Sequence, residues 1–276
     1  MIKDIVVNLS IAPSRDVAGP YAISVAEAFG AHLAAVAFNY EPIIPPTIMG
    51  GVPASFIDEQ RAENEKAATD AIARFDEAAR RAGISFESRM ADASVAGGAD
   101  TFGRIARRFD LSIVGQTEPD KVAPEELIVE GALFDSGRPV LVVPYIQKGG
   151  LTLERVMVCW DGGRNAARAV SDAMPLLRKA KAVDVVIVAN DKSKEDELPG
   201  ADIAQHLARH DLKVDLKRIV STDTDVPNTL LSHAADTAVD FIVMGGYGHS
   251  RLREFILGGA TRGNLSSMTV PALMSH

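Results

Sequence analysis

At 276 residues the chain exceeds the usual single domain of roughly 100–200 residues and fits two domains of about half its length, each able to bury a core. With 47% apolar and 24% charged residues, sparse aromatics and abundant Ala, Val and Ile, its composition is that of a layered α/β protein. A net charge of −8 excludes the broad basic face that a nucleic-acid or anionic-membrane partner wants, so any phosphate site has to be local.

The opening residues Met1-Ile2-Lys3-Asp4 lead straight into a strand-like run, with no charged, apolar and small-residue segments in the order of a secretory signal. No apolar run approaches the ~20 residues needed to span a bilayer. The single cysteine, Cys159, allows no internal disulfide. A cytoplasmic protein without a membrane span is expected. Cys159 falls mid-strand and reads as a packing residue, because no base is placed beside it.

In chain order, Asp4–Ser10 predicts a strand, Arg15–Ala31 a helix with apolar residues at helical spacing, and His32–Asn39 a strand. Glu41–Pro53 carries four prolines and two glycines and predicts a loop, whose Ile43, Ile44, Ile48 and Met49 suit a covering role. Ile57–Ala82 predicts a long amphipathic helix. Ser85–Met90 follows as a strand, Val95–Arg108 as a helix, and Leu111–Gly115 and Pro139–Pro144 as the fourth and fifth strands. The order then restarts. Strands are expected at Arg155–Asp161, Val183–Ala189, Val214–Val220, Phe241–Gly245 and Val270–Met274, with helices at Asn165–Ala180, Asp202–His210 and Asn228–Thr237.

The two halves align by eye. Phe109–Gly115 matches Val239–Gly245, and Arg138–Pro144 matches Thr269–Ser275, which implies an internal duplication with domains at 1–148 and 149–276. Alternating strands and helices imply two tandem five-stranded parallel sheets, Rossmann-like, with ligands at the carboxyl ends of strands where strand order reverses.

The most informative stretch follows the fourth strand of the second half. The apolar run Phe241–Met244 breaks into Gly245-Gly246-Tyr247-Gly248, and a second pair, Gly258-Gly259, opens into Ala260-Thr261-Arg262-Gly263-Asn264-Leu265. Glycines let the backbone approach a bound group, and amides at a helix start favour anions, so this pattern suits phosphate. The plainer use of such glycines is to let a strand and two helices meet tightly. Between the pairs, Ser250–Leu257 has Leu252, Phe255 and Ile256 on one helical face while Arg251 and Arg253 stay wet.

In these residues the chain resembles the universal stress protein family, as two tandem copies with the fold of the adenine nucleotide alpha hydrolases. Nucleotide-binding members carry glycine, two residues, glycine, nine residues, glycine and then serine or threonine; Gly245, Gly248 and Gly258 fit, while Gly259 stands at the hydroxyl position. The resemblance implies that Asp161, ending the first strand of the second half, meets adenine and ribose, and that a backbone group near Ala189 meets the base. It implies a ligand-lining set of Asp161, Ala189, Gly245, Gly248, His249, Ser250, Arg251, Gly258, Gly259 and Ala260 around ATP, with magnesium, or another adenine nucleotide. His249 and Arg251 serve equally well as phosphate contacts or as plain surface residues.

The first half departs further from that pattern. Ser10 replaces the aspartate, Gln116-Thr117-Glu118-Pro119 replaces the second glycine, and Glu130-Gly131 stands where Gly258-Gly259 would be, so it reads as a copy that keeps the fold and has lost the ligand. Family members commonly dimerise through their fifth strands, and pairing Val140–Val143 with Val270–Met274 would make that dimer within one chain and cover two open edges. A further homodimer and unidentified protein partners stay open.

His206 and His210 have helical spacing for a metal but no third ligand, and read as a solvated face. Trp160 reads as core packing and Glu195-Asp196-Glu197 as a solvated loop. No nucleophile, general base or metal cluster is placed for chemistry, so a stress-response nucleotide binder with at most slow ATP hydrolysis is expected. The alternative is a nucleotide-free interaction module working through the Ile43–Met49 loop on a partner or lipid. A hydrolase or ligase would show a Gly/Ser-rich loop after the first strand, only faintly suggested by Asp161-Gly162-Gly163-Arg164, and receiver-domain and dinucleotide fingerprints are absent.

Overall fold

The computed structural model describes residues 1–42, 53–117, 125–189, 200–220, 226–246 and 268–276. The elements run β1 (Asp4–Leu9), α1 (Ala18–Phe29), β2 (His32–Tyr40), α2 (Ala54–Ala82), β3 (Phe86–Ala93), α3 (Val95–Ala106), β4 (Leu111–Gly115), α4 (Glu125–Asp135) and β5 (Val140–Val143). They continue with β6 (Arg155–Cys159), α5 (Arg164–Leu177), β7 (Ala182–Ala189), α6 (Ala201–Ala208), β8 (Val214–Val220), α7 (Val226–Asp236), β9 (Phe241–Gly245) and β10 (Ala272–Ser275). The expected α/β architecture is present.

All these strands join one ten-stranded sheet in the order β3-β2-β1-β4-β5-β10-β9-β6-β7-β8. Each half has the same internal order, and the halves are parallel throughout except at the joint between β5 and β10, which is antiparallel. The joint pairs Val140 with Met274, Leu141 with Leu273 and Val142 with Ala272. The register also corrects the fifth-strand alignment by one residue. Ser112 pairs with Val140 and Ile242 with Ala272, and both Pro139 and Pro271 accept a hydrogen bond through their carbonyls, from Ser112 and Ile242 respectively. Pro139 therefore corresponds to Pro271, and the Leu141–Leu273 pair marks the local twofold axis.

A repeated aspartate fixes the strand starts. Asp110 Oδ2 accepts the backbone N–H groups of Lys3 (2.7 Å) and Asp4 (3.1 Å), tying the start of β4 to that of β1. Asp240 does the same for β9 and β6, accepting from Glu154 (2.8 Å) and Arg155 (3.2 Å). These are charge-assisted bonds to groups that the sheet ladder leaves unpaired.

One face of the sheet packs against α1, α2, α5 and α6, and the other against α3, α4 and α7; each forms an apolar core that crosses the joint. The connecting segment is docked, since Leu151 N donates to Ser24 Oγ of α1 at 2.8 Å.

Helix α4 has no counterpart among the sequence expectations, and Glu130-Gly131, matched in sequence to Gly258-Gly259, lies within it. Its residues are apolar on most sides, so no amphipathic period marks it. Gly131 is there for contact: a Cβ on it would lie 2.3 Å from the Ala99 carbonyl oxygen of α3. Strand β3 runs to Ala93 rather than Met90, paired along its length with β2. The expected apolar contact at Ile43–Met49 lies outside the described residues.

Replacing Gly131 with Ala pushes α3 and α4 apart and is expected to cost about 1–3 kcal/mol, whereas Gly149→Ala, with nothing within 4 Å of the new Cβ, is expected to be close to neutral. Urea unfolding of both variants measures the difference.

Candidate functional site

The strand order of the second half reverses between β6 and β9, and it is at the carboxyl ends beside such a reversal that open α/β sheets bind ligands. Cys159 of β6 pairs with Met244 of β9 and with Val186 of β7, so Asp161 stands level with Gly246 on one side and Val188 on the other. Ala189, the last residue of β7, is one step beyond. Asp161, Ala189 and Gly245 thus share one rim. Gly248, His249, Ser250, Arg251, Gly258, Gly259 and Ala260 lie outside the described residues.

The turn after β6 is built for an exposed carboxylate. Asp161 Oδ1 accepts the Gly163 amide at 2.7 Å, Gly162 takes a left-handed φ of 74°, and Gly163 caps α5. Asp161 itself is exposed, with Oδ2 unpartnered among the described residues. Such an oxygen accepts hydrogen bonds from a ribose hydroxyl or an amino group, so the residue present fits the ligand that the sequence suggests.

Gly245 has a packing role. A Cβ there would lie 2.6 Å from the Ala166 amide nitrogen, so the absent side chain brings the start of α5 against the end of β9. Asn165 secures the same contact, its buried amide donating to the Gly246 carbonyl. Sequence reasoning missed Asn165. Its only signal was a polar residue entering a helix on the side that turns inward.

Cys159 is half-buried, and burial first, then the neighbouring Asp161 charge, push its thiol up from an ordinary 9.0 to about 12. It is a protonated packing residue at neutral pH. Trp160 also packs against the core, while its backbone N–H bonds Val186 O at 2.9 Å. His206 and His210 contact each other edge-on, ring centroids 4.9 Å apart, and among the described residues no three or more His, Cys, Asp or Glu side chains converge as a metal site. No described helix is long and apolar enough to cross a membrane.

At the equivalent rim of the first half, Ser10 is buried where Asp161 is exposed. Gln116 occupies the position of Gly246, its backbone amide donating to Val143 O at 2.8 Å and its Oε1 accepting from Tyr145 N at 3.4 Å. Neutral side chains therefore fill the positions that are charged or open in the second half.

Because its thiol stays protonated, Cys159 in the folded protein is expected to react with iodoacetamide at pH 8 roughly a hundredfold more slowly than in the denatured chain, read by mass spectrometry. Asn165→Ala, which leaves the buried Gly246 carbonyl without its donor, is expected to lower stability by about 1–3 kcal/mol in urea unfolding.

Residues 152–276 match the model of the Universal stress protein family. Over 170 residues the chain is 24% identical to a universal stress protein of Synechocystis sp., an alignment covering 60% of this chain and 57% of that protein, so the match spans little more than half of that relative. The fold superposes on the crystal structure of a universal stress protein from Archaeoglobus fulgidus with a TM-score of 0.65 and 16% identity, covering 99% of this chain and 95% of that one. It also superposes on a protein of unknown function from Pseudomonas aeruginosa, with a TM-score of 0.60 and 13% identity over 99% and 92% of the two chains.

Proposed function

We propose that the chain acts as a universal stress protein, the family whose model residues 152–276 match, and that its second half binds an adenine nucleotide at the rim shared by β6, β7 and β9 and serves a stress response without being an enzyme. The observation that carries this reading is Asp161, held exposed at the strand-order reversal beside the end of β9, which leads into the glycine-spaced stretch. Asp161 takes the ribose or base, the backbone at Ala189 the base edge, and Gly248, His249, Ser250, Arg251, Gly258, Gly259 and Ala260 the phosphates, with magnesium accompanying ATP.

The division into domains falls at 148/149, and ligand binding belongs to the second domain alone, since Ser10 and Gln116 replace the aspartate and glycine in the first. A cytoplasmic location accords with the cysteine content. Cys159, the strongest nucleophile type in the chain, has its thiol held protonated, which favours a binding role over catalysis.

Calorimetric titration with ATP, ADP and cyclic AMP in magnesium buffer tests this. One site per chain at micromolar affinity is expected, abolished in Asp161→Ala and Gly248→Val, with ATP turnover slow in all forms. Absence of binding to any of the three would overturn the reading and move attention to protein partners. Rapid turnover abolished by Asp161→Ala would overturn the non-enzymatic part.

A further inference from the structure

The antiparallel joint brings part of the first half to the rim of the second. Met274 pairs with Val140, so Ser275 and His276, beyond it, run toward Pro139 and Arg138. Phe134 of α4 meets the His276 ring edge-on at 5.1 Å between centroids, and a Cβ on Gly246 would touch Leu133 at 3.0 Å. The end of α4 and the start of β5 therefore border the same rim as Asp161. Arg138 lies two strand spacings, about 10 Å, from the end of β9.

At this border stand two exposed arginines. Arg107 donates through Nε to the Asp135 carbonyl at 2.9 Å, and Arg138 donates through Nε to the Arg107 carbonyl at 3.3 Å. These bonds cap the end of α4 and the preceding turn, but they use only one N–H of each guanidinium. Neither side chain forms an ion pair among the described residues. The Asp135 group that Arg107 meets is its backbone carbonyl, not its carboxylate.

The counterpart positions are uncharged. With Asp110 matched to Asp240 and Pro139 to Pro271, Arg107 corresponds to Thr237 and Arg138 to Val270, which border the first half's rim, where Ser10 and Gln116 stand. In a chain of net charge −8, two cations without an ion-pair partner among the described residues occur beside the rim that keeps the aspartate and the glycine spacing. They are missing beside the rim that has neither.

We infer that the first half lends Arg107 and Arg138 to the second half's site, where they bind the phosphate end of a nucleoside di- or triphosphate. This rests on the proposed nucleotide site and adds its anion clamp. A guanidinium offers paired N–H groups to phosphate oxygens, and in sequence the motif carries Gly259 instead of its usual hydroxyl, so donors from elsewhere in the chain would supply what the motif does not. The arrangement also ranks ligands: adenosine gains nothing from the clamp, and the triphosphate gains most.

Titration of the full chain with adenosine, ADP and ATP, at low and high salt, tests this in the wild type, in Arg107→Gln/Arg138→Gln, in Asp161→Ala and in Arg81→Gln on α2, a charge control. The double variant is expected to bind ATP about tenfold more weakly for each arginine–phosphate hydrogen bond removed, to bind adenosine as the wild type does, and to show little of the wild type's salt dependence. Unchanged ATP affinity in the double variant, with Asp161→Ala still abolishing binding, overturns the clamp and leaves the nucleotide site standing. Equal weakening of adenosine and ATP binding in the double variant means that the arginines act only through the fold, and also overturns it. A wild type that binds neither ligand overturns the site and the clamp together.

Discussion

The antiparallel pairing of β5 with β10 is the constraint on which the rest of the molecule depends. Each half alone would end in an open edge of unpaired amides and carbonyls, which invites association with other chains. Paired, the two edges become the centre of one sheet, and both faces are covered by cores that cross the joint. The reversal of direction also sets each half's carboxyl rim beside the other half's amino rim. Tyr21 of α1 illustrates the consequence: its buried hydroxyl has no hydrogen-bond partner among the described residues, and burial, then the Asp240 charge from the other half, raise its pKa and hold it protonated.

Within this near-symmetric frame the chemistry is unequal. Ser10 and Asp161, Gln116 and Gly246, and Asn8 and Cys159 are counterparts by register, since β1 and β6 start on equivalent aspartate caps. The first half carries neutral side chains that turn inward, and the second an exposed carboxylate beside glycine. The frame tolerates either set because the cores, the joint and the aspartate caps lie below the rim. Rim residues are therefore free to differ without disturbing the strands that carry them.

Much of this was legible in the sequence, because parallel strands buried on both faces are continuous apolar runs: Leu111–Gly115 and Phe241–Gly245 begin and end where expected. What escaped has physical reasons. Helix α4 packs one side against the sheet and α3 while apolar Leu127 and Phe134 stand on its exposed side, so it lacks the polar stripe by which a helix is recognised. The one-residue error in matching β5 to β10 arose because both are short apolar runs, and only the pairing of Ser112 with Val140 and Ile242 with Ala272 fixes the register. Gly245 belonged to a ligand motif in the sequence, while its demonstrable task is to admit α5. A glycine spacing cannot separate the two uses, because both follow from the missing Cβ.

A covalent pair differs from a symmetric dimer in one respect that bears on specificity. In a dimer of identical chains, any residue placed beside one rim stands beside both, so a cation favouring phosphate at one site is repeated at the other. Here the residues bordering the two rims are encoded separately, as Arg107 and Arg138 against Thr237 and Val270. Charge can then be concentrated at the rim that retains Asp161, while the other rim stays neutral and structural. In an acidic chain, where long-range attraction does not draw anions in, such local placement is the available route to a phosphate-selective site. It requires the antiparallel joint, since a parallel one would set the start of β5 against the wrong end of β10.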